Sequence, residues 1–438
     1  MFPTRRCKTS LAIVHGVYSD IKNRTKSVID KSAIGGSMTH VQKPLFLLIL
    51  SVCFLLNGSS LDLKAQENTP DGYYVFGGPA VEQGRSVALM PDGSGFVIAG
   101  DIRENDQEDW DIIVIRLDNR CRKVWQRRIG GPNEDHNWGL TGIQDGGVVI
   151  SGATSSFGAD GDDILIVKLK NDGTEAWRSL LGGPGDQGRG SVLETPENEL
   201  IVAGWSRSGK SGDFYAAKLT PAGKIVWEKT YDHWYLEGVN DIAMTPDGSF
   251  LLYGEGIQHS GGEMMNGQLV VIDIAGNLQK RICLPEGMYR EGYGVAVTAD
   301  GHYAVTGPAR TDKGFRAYVT GFDKTGKQIW SGFYPADSWA IGFGIWAIRS
   351  GGFCQTGWGR TEEHGSDAVL VRIDKDGSQR WIRHLGGAED ENGIRVVEKP
   401  AGGFLIVGTT SSFGAGDGED ILLINTDTEG HPINPGLR

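Results

Sequence analysis

The chain has 438 residues, 66 of them glycine, and a formal net charge of −12. That length holds one large domain or two ordinary ones. The acidic balance argues against a nucleic-acid partner, because phosphate binding needs clustered Lys and Arg. Abundant glycine together with 12 Trp and 12 Tyr fits a many-stranded β protein better than a helical one.

In chain order, residues 1–37 read as a non-native upstream extension from a misplaced start, with Met38 as the true start. Residues 38–65 read as a secretory signal peptide. KPLFLLILSVCFLLNGSSLDLKA (43–65) places an apolar run behind a basic residue and ends on small residues, with cleavage after Ala65. The run from Leu45 to Leu56 is short for a membrane span, so no stable span is expected after cleavage; the alternative is an uncleaved anchor. Export follows, to the periplasm, the outer surface or the medium. Residues 66–72 read as a short linker. Beyond them only Cys121, Cys283 and Cys354 remain, which is no disulfide framework.

Residues 73–435 carry one unit seven times, about fifty residues apart. Its mark is G-x-x-x-W: Gly173/Trp177, Gly223/Trp227, Gly326/Trp330 and Gly377/Trp381. Cys121/Trp125 replaces the glycine, and Gly276/Lys280 and Gly430/Asn434 lack the Trp. Each unit holds four strand-like runs, a to d. In the first unit these are RSVAL, FVIAG, DIIVIRL and VWQRRI. Turn signals such as PDG (91–93) separate a from b, and others such as NDG (171–173) separate c from d.

The seventh unit never delivers strand d. YYVFGG (73–78) is a strand d with no unit before it, so it supplies the missing strand. The expected fold is all-β: a seven-bladed β-propeller of four-stranded antiparallel blades. The ring is closed by an N-terminal strand pairing into the last blade. The strand-d Trp residues are expected to be buried between blades. The Asp opening strand c (Asp111, Asp163, Asp213, Asp367, Asp420) is expected to hold backbone amides; Asn266 and Arg316 stand in its place in two units.

The unit GGPGDQGRGSVLETPENELIVAGWSRSG…DFYAAKLTPAGKIVW resembles the secreted bacterial β-propeller repeats with quinoprotein-like (PQQ-like) blades, over nearly all of 73–435. LTPAGKIVW and FDKTGKQIW are similar to the Trp-docking segment of quinoprotein dehydrogenases. The likeness implies a blade type. It does not imply quinone chemistry, because the vicinal Cys pair and eight blades of those enzymes are missing. No cofactor is expected.

The a–b and c–d turns are short and regular, whereas the d–a and b–c loops are long and dissimilar. The site is therefore expected on the d–a/b–c face, around the channel mouth. The d–a loops carry Glu82, Asp135, Asp186, Glu237, Glu291 and Glu391, with Trp138, Trp234, Tyr235, Tyr289 and Trp339 nearby. The b–c loops add Arg103, Trp205, Arg207, Glu255, Arg310, Trp358 and Arg360. Aromatic faces beside charged groups suit sugars, which offer C–H faces and hydroxyls. Trp205, Arg207, Trp234, Tyr235, Arg310, Trp339, Trp358 and Arg360 are the ligand-binding candidates. The competing explanation makes the acids loop caps and the aromatics rim packing.

Three motifs are discounted. GWSRSGKS (204–211) matches a phosphate loop but leads into a strand rather than a helix. GADGDD (158–163) and GAGDGED (414–420) are dense in calcium-type ligands but lack a full loop spacing, so calcium stands only as a minor alternative. His136, His233, His259 and His364 share no metal-ligand spacing.

The favoured function is an exported non-catalytic binding or scaffold propeller, using that face for a glycan or a cell-surface protein, as a monomer. The alternative is a glycan-active hydrolase or lyase with paired carboxylates, Glu237 and Glu291, at the channel mouth. A third possibility is a structural propeller with no small ligand.

Overall fold

The computed structural model describes residues 63–65 and 69–434, apart from 106–107, 158–160, 209–210, 259–264, 286–287, 336–338, 361–364 and 415–417. The expected upstream extension, nearly all of the expected signal peptide, His259 and His364 lie outside the described residues. All described residues belong to the compact unit 61–438. Its regular elements are strands, and no helix is long and apolar enough to cross a membrane among the described residues.

The chain opens with β1 (Lys64–Ala65) and β2 (Tyr73–Gly77). The first four-stranded array follows: β3 (Val81–Leu89), β4 (Phe96–Arg103), β5 (Asp111–Leu117) and β6 (Lys123–Ile129), antiparallel and in that spatial order. The same order recurs in β7–β10 (135–181), β11–β14 (186–231), β15–β18 (236–283), β19–β22 (294–333) and β23–β26 (340–385). Two of these arrays are joined by one parallel pair, Gly212 with Leu236. The chain ends with β27 (Glu391–Glu398), β28 (Phe404–Thr410) and β29 (Asp420–Asn425). Here β2 takes the fourth place: Tyr73 pairs with Ile424 and Phe76 with Ile421, so YYVFGG does supply the strand that the last unit lacks. β1 adds a fifth strand outside it.

The burial of each strand follows its sequence. β4 and β5 are apolar along nearly their whole length and buried on both faces, as middle strands covered from both sides must be. The outer β6 (KVWQRRI) is half-exposed and basic, and charge on an edge strand discourages pairing with another molecule. The c–d turn is fixed locally. Gly173 at φ +78° donates its N–H to Lys170 O at 2.8 Å, and Lys170 N donates to Thr174 O at 2.8 Å. Cys121 holds the same place in the first array at φ 60°, a conformation that usually calls for glycine.

Adjacent arrays pack face to face. Val97, Ala99, Ile112 and Val114 of the first array share a core with Val148, Ile150, Leu165 and Val167 of the second. The other face of the first array, through Ile98, Ile113 and Ile115, meets Phe76, Leu405, Val407 and Ile421 of the last. Successive antiparallel arrays packed in this way make a β-propeller.

The strand-d Trp residues dock between arrays but are half-exposed rather than buried. Each indole lies on the c–d turn of the next array. Trp125 Nε1 donates to Asn171 O at 2.8 Å, Trp177 Nε1 to Pro221 O at 3.2 Å and Trp330 Nε1 to Lys375 O at 2.9 Å. The indole N–H needs a partner, and the turn carbonyl keeps the ring at the surface.

Candidate functional site: a ring at the channel mouth

One cavity of about 420 Å³ is lined by a single strand from each array: β3, β7 (Asp135–Gly142), β11 (Asp186–Glu194), β15 (Leu236–Met244), β19 (Gly294–Val297), β23 (Ala340–Ala347) and β27. These are the strands a, and the cavity is the central channel. Its lower part is mostly apolar, with Val87, Leu140, Val192, Ile242, Val295, Ile345 and Val396 among the lining.

Just above this lining the inner strands depart from regular pairing at one level. Each has one more residue than its neighbour: Arg85 between Gly84 and Ser86, Trp138 between Asn137 and Gly139, Asn240 between Val239 and Asp241. Phe343 and Ile394 occupy the same place in β23 and β27. In β11 Arg189 and Gly190 together face one partner residue, and Arg189 is held at φ 57°. Tyr293 stands at this level just before β19, its N–H donated to Thr306 O at 2.9 Å. A bulge re-aims the extra side chain. The result is a ring of seven partly exposed side chains: Arg85, Trp138, Arg189, Asn240, Tyr293, Phe343 and Ile394.

Neighbours in the ring touch. The Arg85 and Arg189 guanidinium groups lie 5.9 and 5.3 Å from the Trp138 ring centre, within cation–π range. Arg189 Nη1 donates to Asn240 Oδ1 and to Glu255 Oε1, the latter at 3.1 Å. Tyr293 and Phe343 stack at 5.5 Å with planes 6° apart. One arc of the ring is cationic and polar, and the opposite arc is aromatic and aliphatic. Below them Arg395 Nη1 spans from β27 to Asp241 Oδ2 of β15 at 2.9 Å.

The electrostatics of the polar arc follow from burial and partners. Burial would raise the Asp101 carboxyl, but Arg85 and His136 outweigh it and hold Asp101 below its usual value. Burial opposes charge on His136, yet bonds to Asp101 and Glu134 raise it to about 9, so it is an imidazolium at neutral pH. Burial pushes Glu255 up to about 7, against the pull of Arg189 and with help from the nearby Glu291.

The d–a acids take the position that the loop-cap explanation gives them. Glu82, Asp135, Glu237, Glu291 and Glu391 are buried at the starts of the inner strands. Asp135 Oδ2 accepts from Gly131 N at 2.8 Å, and Glu391 Oε2 from Gly387 N at 2.6 Å. They tie down the Gly-Gly ends of strand d. The strand-c Asp lies under the glycine that ends the paired strand d: a Cβ on Gly130 would overlap Asp111, and one on Gly77 would overlap Asp420. Asp186 stays half-buried, and Gln187 occupies the buried position.

Glu237 and Glu291 each bond to partners of their own. Burial pushes Glu237 up to about 7, against bonds from Gln268 and His233 N, while Glu291 accepts from the Tyr289 and Tyr293 hydroxyls. Asp213, Asp232 and Glu237 have carboxylate oxygens within 4.8 Å of one another, but those of Glu237 are already bonded. The two calcium-like stretches fall partly outside the described residues. Of GWSRSGKS, Gly204–Ser208 lie on β12 (Leu200–Ser208) and Ser211 opens the strand β13 (Ser211–Leu219), while Gly209 and Lys210 lie outside the described residues.

The predicted ligand-binding residues form separate groups. Trp339 meets Trp358 edge-on at 4.4 Å, Phe315 at 6.4 Å and the Arg360 guanidinium at 5.6 Å, while Arg310 is exposed nearby and its N–H bonds Tyr289 O. The Arg207 guanidinium lies 5.4 Å from the Trp205 ring, whose edge packs on Gly188. Trp234 is buried and stacks on His233 at 5.7 Å, and Tyr235 is half-buried beside it. Of the ring, only Trp138 was singled out from sequence. A weak signal is a glycine next to the ring residue at one offset in most of the units, as in GRS (84–86), NWG (137–139), GYG (292–294), GFG (342–344) and GIR (393–395).

No family model matches the chain, and no curated protein matches it. Among solved structures it is similar to the WD40 domain of Neurospora crassa Pan2, at 11% identity over 81% of this chain and 91% of that one, with a TM-score of 0.48. A Dyadobacter fermentans protein of unknown function is 13% identical over 69% of this chain and 98% of that one, with a TM-score of 0.48. Chaetomium thermophilum Sqt1, bound to the N-terminus of ribosomal protein L10, is 13% identical over 83% of this chain and all of that one, also at 0.48.

Proposed function

We propose that the chain is a binding propeller whose channel mouth, on the d–a/b–c face, takes a glycan. The observation that carries this is the ring: one partly exposed side chain per inner strand, donors on one arc and the Tyr293–Phe343 stack on the other. A sugar offers hydroxyls to the first and C–H faces to the second. The Trp339–Trp358–Arg360 group is the second contact region at the rim.

The finer architecture belongs to this proposal. Seven blades are supported by seven inner strands lining one cavity, and ring closure by the core shared between the first and last arrays. Indoles resting on neighbouring turns support the quinoprotein-like blade type. Export from a bacterial cell rests on the apolar run behind Lys43, and the monomeric state on closure of the ring. No cofactor is part of the proposal. The glycan-active alternative needs two carboxylates about 5–10 Å apart facing the substrate. Glu237 and Glu291 are each committed to other partners, which favours binding without catalysis.

The test is a thermal-shift screen of the purified protein against soluble glycan fragments and peptides. A ligand at a hundred times its Kd adds about 2.7 kcal/mol of stability. The shift should vanish in Trp138→Ala and weaken in Trp339→Ala. Shifts from peptides alone would replace the glycan with a protein partner.

A further inference from the structure

The mouth presents its charges asymmetrically. Its carboxylates are turned into the wall: the Asp101, Glu255 and Asp241 side chains are 1, 8 and 13% exposed. Their oxygens are taken. Asp101 accepts from Asn137 N and Arg85, Glu255 from Arg189, Asn240 and Gly292 N, and Asp241 from Ser191, Val295 N and Arg395. The Arg85, Arg189 and Arg395 side chains are 23, 26 and 21% exposed, and each keeps N–H groups without a partner among the described residues. Arg189 spends only Nη1, so its Nε–Nη2 edge is free. That edge offers two parallel N–H groups, which match the two oxygens of a planar carboxylate. The surface that meets a ligand therefore shows donors, with the acceptors spent behind them.

Arg189 is also fixed with unusual firmness. Its backbone sits at φ 57°, a strained place for a residue with a side chain, and Asn240 and Glu255 hold one end of its guanidinium. Across the ring the stacked Tyr293–Phe343 pair offers an apolar platform.

Building on the glycan reading, we infer that the ligand is an acidic saccharide carrying a uronate carboxylate. The carboxylate sits on the free edge of Arg189, beside Arg85, and a sugar face lies on Tyr293 and Phe343. A neutral glycan offers the free edge of Arg189 only uncharged hydroxyl oxygens, and a methyl ester offers it no charge.

The test is calorimetric titration of the protein with three matched probes: an oligogalacturonate, its methyl ester and a neutral oligogalactan. The acid should bind at least ten-fold more tightly than either of the others. Arg189→Lys, which keeps the charge but loses the fork, should weaken the acid at least ten-fold with little change in melting temperature. Should that variant melt early, the ten-fold preference of the wild-type protein for the acid over its methyl ester carries the test by itself. Equal binding of acid, ester and neutral probe overturns the uronate assignment and leaves the glycan reading in place. Preference for a sulfated oligosaccharide over the uronate overturns the carboxylate in favour of a sulfate ester. Failure of every glycan overturns both.

Discussion

Replacing Glu82 by Gln should abolish a loss of stability between acid and alkaline pH. Glu82 opens β3 and is fully buried, beside Asp420 of β29 and beneath the glycines that end β2. Neither of its oxygens has a hydrogen-bond donor in good geometry. Burial, then the charge of Asp420, pushes its carboxyl from the ordinary 4.5 up to about 8. The folded chain thus keeps a proton that the unfolded chain releases. The sign follows: Glu82 costs nothing below about 4.5, costs more at each step up to about 8, and imposes its full penalty above that. Each unit of displacement is worth about 1.4 kcal/mol, so the loss from pH 5 to pH 8 is on the order of 4 kcal/mol.

Glu82→Gln keeps the shape, stays neutral and can donate to Asp420. Urea unfolding at pH 5, 7 and 9 measures the effect. Glu237 and Glu255, both raised to about 7, add their own slopes in both proteins, so the difference between variant and wild type isolates Glu82. Near pH 5 the two should agree within about 1 kcal/mol, the usual worth of one hydrogen bond. At pH 9 the variant should be the more stable by several kcal/mol. Parallel pH profiles would refute the argument, because they would mean that Glu82 titrates alike in both states.

Other perturbations address the fold and the mouth. Phe76→Ala, in the core shared by the first and last arrays, should cost about 3–5 kcal/mol in urea unfolding, while the exposed Val124→Ala stays within about 0.5 kcal/mol. Gly377 sits at φ +86°, and a Cβ there would lie 2.7 Å from the Trp330 ring, so Gly377→Ala should cost more than about 1 kcal/mol. Part of that cost should disappear in a Trp330→Ala background, giving a measurable coupling in a double-mutant cycle. His136 should titrate by NMR near 9, and its contribution to stability, complete below its ordinary 6.5, should fade as pH rises through 9; His136→Gln should remove that slope.

The scaffold was legible in the sequence because its determinants recur with the unit. The c–d turn needs positive φ, the indole needs a turn to rest on, and the end of strand d needs glycines to clear a carboxylate. Each need leaves the same letters about fifty residues apart, even where Cys121 departs from the rule. The orphan YYVFGG was placed by the same logic, and its pairing with β29 answers it. The acids of the d–a segments were legible as a pattern, with two roles left open, site acid or loop cap. A carboxylate before an inner strand looks like a loop acid until the bare glycine above it shows why it turns inward, as Asp135 does towards Gly131. The ring was not legible, because its level carries Arg85, Trp138, Arg189, Asn240, Tyr293, Phe343 and Ile394 in turn. Arginine alone appears twice around it, and what recurs in every unit is the backbone departure. That contrast has a physical basis. A bulged residue is extra to the ladder, so the sheet constrains its neighbours and leaves its side chain free to vary. Rigid pairing above and below then holds seven dissimilar groups at one height around one channel. The fold repeats wherever pairing demands it, and the chemistry is concentrated at the one level that pairing releases.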